Sequence, residues 1–249
     1  MDAMIFAAGL GRRLAPLTYR LPKALVPVGG RPLLAHVLDR VVAAGATRVV
    51  VNTCRFGEAI AAWARAHTPS GVELVLSPEP DGPYDTGGGL VAAAHLFTGE
   101  GAILLHAVDV LSRIPLERLV ADHRAARART GPQLLATLAV QDRRASRKLL
   151  FDGVGLAGWQ RLGRDGEVEE ERRVRADAGP ARALGFAGIH VIERELLAQA
   201  DRTGTFPIRD LYLECAGKGR VVRPFDATQY AWLDVGTAER LAEAERRGW

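Results

Sequence analysis

Apolar positions come in short runs over the first 140 residues, and the spacing within the runs alternates between two periods. Residues 4–8, Met-Ile-Phe-Ala-Ala, form an unbroken apolar run stopped by Gly9, which predicts a buried strand. After Pro32, the residues Leu33, Leu34, Val37, Leu38, Val41 and Val42 recur three and four apart until Gly45. That predicts a helix with proline in its first turn and glycine at its end. Further strands are predicted at 49–51, 72–76, 102–108 and 134–140. Helices are predicted at 56–66, 88–97 and 115–129, the first with Trp63 on its apolar side. Alternation of this kind predicts an α/β fold, a mostly parallel twisted sheet flanked by helices in the Rossmann-like manner.

The texture changes after residue 145. Residues 148–151 and 156–159 flank Asp-Gly-Val-Gly and predict a hairpin. The charge run at 165–177 reads as an exposed loop or edge strand. An apolar strand with two glycines is predicted at 184–192, helices at 193–200 and 207–216, strands at 221–225 and 230–234, and a closing amphipathic helix at 237–247. No linker or repeat interrupts the chain. A single domain over 1–249 is expected, its second half adding a smaller antiparallel, lid-like region.

Composition narrows the class. The 249 residues are 48% hydrophobic and 25% charged, enough for a substantial core. No run approaches the roughly 18 apolar residues of a membrane span. Met1-Asp2-Ala3 puts no basic stretch ahead of the first apolar run, so no signal peptide is expected. Cys54 and Cys215 lie far apart with no metal-type spacing, which argues against a disulfide framework or a zinc site and fits the cytoplasm.

Charge raises one alternative. The net charge is +4 and the pI about 9.4, which suggests nucleic acid. Residues 113–148 alone hold nine basic and three acidic residues with no aromatic among them. That excess reads as a solvated, arginine-rich helix face, with no nucleic-acid or membrane partner. Of the 33 basic residues only Lys23, Lys148 and Lys218 are lysines, so each is a residue kept against a strong arginine bias.

The loop after the first strand carries the densest chemistry. It reads Ala8-Gly9-Leu10-Gly11-Arg12-Arg13-Leu14-Ala15-Pro16-Leu17-Thr18, then Pro22-Lys23-Ala24-Leu25-Val26-Pro27-Val28. In an open α/β sheet ligands bind at the carboxyl ends of strands. A glycine-rich turn there lets backbone N–H groups approach a phosphate. Arg13 and Lys23, with Arg12 beside them, add positive charge where a triphosphate would sit. Two common phosphate motifs fail. Leu14 stands where the dinucleotide fingerprint needs its third glycine, and the Gly-Lys-Ser/Thr of a Walker loop is absent.

The combined string Gly-x-Gly-x-Arg-(x)2-Pro-x-Thr-(x)3-Pro-Lys resembles the signature of the sugar-1-phosphate nucleotidylyltransferases, and the resemblance covers nearly the whole chain. Tyr84-Asp85-Thr86-Gly87-Gly88-Gly89-Leu90 is similar to a segment of the bacterial N-acetylmuramate-1-phosphate uridylyltransferases, with Asp85 in place of glutamate. Trp232-Leu233-Asp234-Val235-Gly236-Thr237 is similar to their closing motif. The resemblance implies a nucleotide-diphospho-sugar transferase (GT-A-like) fold, with a nucleotide-binding half at 1–140 and a sugar-phosphate-binding half at 141–249.

It also implies a reaction. A nucleotidyl group passes from an NTP, UTP by this likeness, to a sugar 1-phosphate, giving an NDP-sugar for the cell envelope and pyrophosphate. Two anions must meet, so Mg²⁺ is implied as cofactor, and Mg²⁺ needs only one or two protein carboxylates. Asp109 and Asp234 each follow an apolar run and take the family's metal positions. Ala8, Gly9, Gly11, Arg13, Lys23, Ser77, Thr86 and Gly87 are implied on the nucleotide, with Gly88 leaving room at the helix start. Asp109, Gly158, Phe186 and Gly188 are implied on the sugar. Arg13 and Lys23 would act on the reacting phosphates, because attack by an already ionised phosphate needs positioning and charge more than proton transfer.

Departures leave the substrate open. His106-Ala107-Val108-Asp109 replaces the usual Asn-Gly-Asp, and residues 147–152 with Gly158-Trp159 are similar to a less characterised branch. A guanylyltransferase acting on a mannose- or heptose-type 1-phosphate, or a non-catalytic nucleotide-sensing member of the fold, stand as alternatives. The chain stops soon after Thr237, without the β-helix extension of some relatives, and a monomer or homodimer is expected.

Overall fold

Alternation along the first strand, β1 (Asp2–Phe6), sends Ala3 and Ile5 to one face of the sheet and Met4 and Phe6 to the other, and both faces are buried. Two-sided burial is why the run is apolar throughout. The computed structural model that shows this describes residues 1–249.

After β1 come a two-strand clip, β2 (Pro27–Val28) and β3 (Arg31–Pro32), then α1 (Leu33–Ala43), β4 (Arg48–Thr53), α2 (Gly57–His67), β5 (Glu73–Pro78), α3 (Asp85–Ala92), β6 (Ile103–Ala107), β7 (Val110–Ser112) and α4 (Leu116–Thr130). The second half holds β8 (Leu134–Gln141), β9 (Arg147–Phe151), β10 (Leu156–Leu162), β11 (Val168–Arg173), β12 (Arg182–Ile192), α5 (Glu195–Ala198), α6 (Ile208–Gly217), β13 (Val221–Asp226), β14 (Trp232–Asp234) and α7 (Ala238–Arg246).

The main sheet runs β5-β4-β1-β6-β12-β8-β13. Every strand in it is parallel to β1 except β12, which is antiparallel to both β6 and β8. The outer half of β12 leaves this sheet and pairs with β9, which with β10 and β11 forms the expected antiparallel region. The two halves of the chain therefore share one strand. One core lies under α1 and α4, through Leu33, Leu34, Val37, Leu38, Leu119 and Val120. The other lies under α3 and α6, through Leu90, Leu211, Tyr212 and Leu213. Burying each such leucine contributes about 1.5–3 kcal/mol.

Two expectations are corrected, and three short strands are added. The helix expected from 88 begins at Asp85, whose φ of 59° turns the chain into it, a backbone state aspartate tolerates better than most residues. The helix expected at 193–200 is a single turn, Glu195–Ala198. The clip β2–β3 and the short β7 carry no periodicity and were not expected. The charge run at 165–177 resolves into β11, an edge strand with all six residues exposed, a composition that blunts edge-to-edge pairing. On the arginine-rich α4, Arg118, Arg124 and Arg129 point to solvent. Both cysteines are free, and no helix is long and apolar enough to cross a membrane.

Candidate active site

The glycine loop leaves the carboxyl end of β1 and folds over it. Gly11 sits at φ 63°, and a Cβ there would meet Thr18 Cγ2 at 2.8 Å and Lys23 Cβ at 3.2 Å. Thr18 Oγ1 donates to the Gly11 carbonyl at 2.9 Å, and Leu14 is buried beneath. Glycine at 11 thus meets both a left-handed backbone and a close approach. Gly9 has nothing within 4 Å of its missing Cβ, so its backbone is open to a ligand. Gly9, Gly11, Arg12, Arg13, Lys23 and Asp109 line a cavity of about 190 Å³, while Ala8 is buried next to it.

A small sheet brings the two aspartates together. β7 and β14 pair antiparallel with Val110 opposite Asp234, and the Val235 amide donates to the Asp109 carbonyl at 2.8 Å. Lys23, only 7% exposed, forms an ion pair with Asp109, its Nζ donating to Oδ2. Burial first, then the charge of Asp109, raises the pKa of Asp234, while Lys23, Arg13 and Arg143 oppose the shift. Asp234 Oδ1 is buried with no hydrogen-bond partner. Gly236 leaves just enough room: a Cβ there would lie 2.6 Å from Arg13 Nη2 and 2.7 Å from Asp234 Oδ1.

These residues fit a hard divalent cation. One carboxylate holds an orphaned oxygen, and no group of three or more acidic, His or Cys ligands surrounds it. That suits Mg²⁺, which takes its remaining ligands from phosphate and water, and not a structural zinc. A pH dependence follows. The raised pKa means that the metal-free fold loses stability as pH rises through it, because the ionised carboxyl is disfavoured by burial. Cation binding needs that ionised form, so stabilisation by Mg²⁺ should weaken as pH falls through the same range. In melting curves across pH, Asp234→Asn should raise the metal-free Tm above the raised pKa and abolish the Mg²⁺ response. A Mg²⁺ response as large as the wild type's would exclude Asp234 as a ligand.

A buried polar network ties the ends of β1, β4 and β5 to the approach to α3. The Ala7 amide donates to Asn52 Oδ1, Asn52 Nδ2 donates to Glu79 Oε1 and the Tyr84 amide donates to Glu79 Oε2, each at 2.7 Å. Burial pushes the Glu79 pKa up. Gly89 packs on this network, since its Cβ would lie 2.6 Å from Glu79 Oε1. Ser77 is buried on β5 opposite Asn52. Thr86 Oγ1 accepts from the Ile208 amide at 3.0 Å. The amides of Gly87 and Gly88 both donate to the Phe206 carbonyl, at 2.9 and 3.2 Å. In this conformation the start of α3 is therefore held by the segment leading into α6, and the Gly87 amide is engaged.

A second cavity, of about 250 Å³, meets the first at Phe6, which borders both. Trp159, Phe186 and Gly188 line it, with Thr86 and Tyr212, and Arg147, Lys148 and Arg209 add positive charge. Gly188, at φ 73°, forms the irregularity that shifts the register of β12 against β8. Gly158 does not line this cavity. A Cβ there would run into the Arg172 carbonyl of β11, so its glycine serves strand pairing, and Trp159 beside it is the wall.

Several of these residues carry no local signal in the sequence. Arg143 donates to the Phe186 carbonyl at 2.9 Å, lies 4.0 Å from the Trp232 ring and acts on Asp234, so it joins the second cavity to the aspartates. Asn52 and Glu79 carry no motif of their own. Lys148 stood out in the sequence as one of three lysines and within the 147–152 segment, without a role at a cavity.

The nucleotidyl transferase family model matches residues 2–147. The chain is 33% identical over 247 residues to N-acetylmuramate alpha-1-phosphate uridylyltransferase of Caulobacter vibrioides, covering 98% of this chain and 96% of that protein. It is 29% identical over 248 residues to the enzyme of the same name from Neisseria meningitidis, covering 98% and 97%. Mannose-1-phosphate guanylyltransferase of Mycobacterium tuberculosis is 33% identical over 135 residues, covering 54% of this chain and 37% of that protein. The fold is also that of UDP-glucose pyrophosphorylase from Acinetobacter baumannii, with a TM-score of 0.74 at 16% identity, covering 99% of this chain and 92% of that one. A glycine loop under Lys23, two aspartates joined by β7 and β14, and these likenesses agree, and the chain is a member of the nucleotidyl transferase family.

Proposed function

We propose that this protein transfers the uridylyl group of UTP to a sugar 1-phosphate. The observation that carries the proposal is the meeting of the open backbone at Gly9, Lys23, Asp109 and Asp234 at the carboxyl edge of the sheet, next to a cavity large enough for a sugar. In the reaction a phosphate oxygen of the sugar 1-phosphate attacks the α-phosphorus of UTP. The bond from that phosphorus to the β-phosphate bridging oxygen breaks, and pyrophosphate leaves with the bonding electrons.

Mg²⁺ held by Asp109 and Asp234 would neutralise the two anions. Arg13, which makes no ion pair and faces the 190 Å³ cavity, stabilises the leaving pyrophosphate. Lys23, oriented by Asp109, sits against the reacting phosphate. No proton needs to move, because the attacking phosphate is ionised at neutral pH. Uridylyl transfer is favoured over guanylyl transfer because the likeness to uridylyltransferases spans the whole chain and that to the guanylyltransferase spans half. Arg147 and Lys148 border the second cavity without a carboxylate partner, which suits a sugar bearing an acid of its own, such as N-acetylmuramate. The protein then acts as a monomer or homodimer in the cytoplasm, supplying an envelope precursor.

Pyrophosphate release tests this. With Mg²⁺, UTP and N-acetylmuramate 1-phosphate should give the fastest turnover among UTP, GTP, CTP, dTTP and ATP paired with a panel of sugar phosphates. Fastest turnover with GTP and mannose 1-phosphate would replace this reading with the guanylyl one. No turnover with any pair, alongside nucleotide binding, would make the protein a sensor.

A further inference from the structure

His190 and Tyr212 line the second cavity, and each is 1% exposed. Tyr212 Oη lies 3.0 Å from His190 Nδ1, the hydroxyl's one partner. A phenol is a good donor and a neutral imidazole nitrogen a good acceptor, so the O–H points at Nδ1 and the ring carries its proton on Nε2. Burial, reinforced by the neighbouring His106, lowers the His190 pKa to about 3, and the ring is neutral at physiological pH. Its Nε2 has no partner in the protein. The rings of Phe6 and Phe186 flank it at 6.2 and 5.0 Å between centroids and offer none. A buried donor left unpaired costs about 1–3 kcal/mol, so such a group is expected to serve a ligand.

We propose that His190, oriented by Tyr212, is a specificity-determining donor of the sugar cavity, its Nε2–H receiving the carbonyl oxygen of an acylamino group on the sugar. The proposal rests on the reading of this cavity as the sugar site. One fixed, neutral donor matches one neutral acceptor. The surrounding Trp159, Phe186, Leu149 and Ile208 suit the methyl of an acetyl group. A hydroxyl would bring a proton with no acceptor waiting for it on the imidazole. A carboxylate would be drawn to Arg147 and Lys148 instead. Nε2 has almost no accessible surface, so Phe186, packed against the ring, shifts as the substituent enters.

Kinetics with N-acetylglucosamine 1-phosphate and glucose 1-phosphate, which differ only at this substituent, read the proposal. The wild type should prefer the acylamino sugar. His190→Leu should cut that preference roughly tenfold or more, mainly through the KM of the sugar, with the KM of UTP and the Tm nearly unchanged. His190→Gln, which keeps a donor, should restore part of the preference, and Tyr212→Phe should give a smaller loss in the same direction. Equal losses for both sugars would reduce His190 to a structural residue and overturn the proposal.

Nitrogen-15 NMR decides the matter even if no sugar phosphate is turned over and the nucleotidyl-transfer reading fails. The His190 proton should be on Nε2, and its resonance should shift with N-acetylglucosamine 1-phosphate and not with glucose 1-phosphate. A proton on Nδ1, or equal shifts with both, would refute the assignment.

Discussion

Asp109→Asn should abolish most of the activity, lowering kcat by about 10³-fold, while the chain remains folded. A metal ion contributes several kcal/mol to a reaction that brings two anions together, and each ~1.4 kcal/mol is about tenfold in rate. Asparagine keeps the size and one oxygen of the side chain but not its charge. Asp109 is a partly exposed residue between β6 and β7, and its backbone carbonyl, which accepts from Val235, is untouched. Steady-state kinetics over a Mg²⁺ titration should show the loss only partly recovered at high metal. A variant within about threefold of wild type would remove Asp109 from the metal site.

Lys23→Ala should be nearly as damaging, at about 10²–10³-fold in kcat, the range for deleting one preorganised charge at a developing anion. Here a structural effect must be separated from a chemical one. Lys23 is buried against Asp109, so its removal leaves that carboxylate unpaired and lowers the Tm. The double variant Lys23→Ala/Asp109→Ala should recover part of the Tm and none of the activity, because the two losses are coupled through one pair. Lys23→Arg should not rescue turnover. Lys23 is only 7% exposed and its ammonium is held on Asp109, and a larger planar guanidinium cannot replace that compact charge there. That explains a lysine kept in a chain whose basic residues are nearly all arginine. Native circular dichroism with near-normal kcat in Lys23→Ala would contradict the role.

What the sequence disclosed and what it hid divide by the range of the interactions. The strands and helices of the first half were legible because β1, β4 and β6 are buried on both faces and α1 carries an apolar stripe, all of them local patterns. The glycine loop and both aspartates were legible because their residue types are tied to phosphate and metal chemistry at strand ends. The strand at β14 was legible, but β7 and its pairing with β14 were not, since a three-residue strand has no period and this pairing spans more than a hundred residues. Pairing between elements, over shorter separations, likewise hid Arg143 beside Asp234, Glu79 against Asn52 and His190 against Tyr212. At Gly158, a glycine in a suggestive strand, the backbone of β11 alone accounts for the missing side chain.

In the proposed reaction, nucleotidyl transfer to a sugar phosphate takes place where the glycine loop, Lys23 and the two aspartates meet. Phosphorus NMR of the purified protein with Mg²⁺, UTP and N-acetylmuramate 1-phosphate tests it most directly. Equal amounts of pyrophosphate and of a new sugar-linked pyrophosphate diester should appear with the wild type, and almost none of either with Asp109→Asn over the same time. Orthophosphate or UMP in place of the diester, or unchanged product formation by Asp109→Asn, would contradict it.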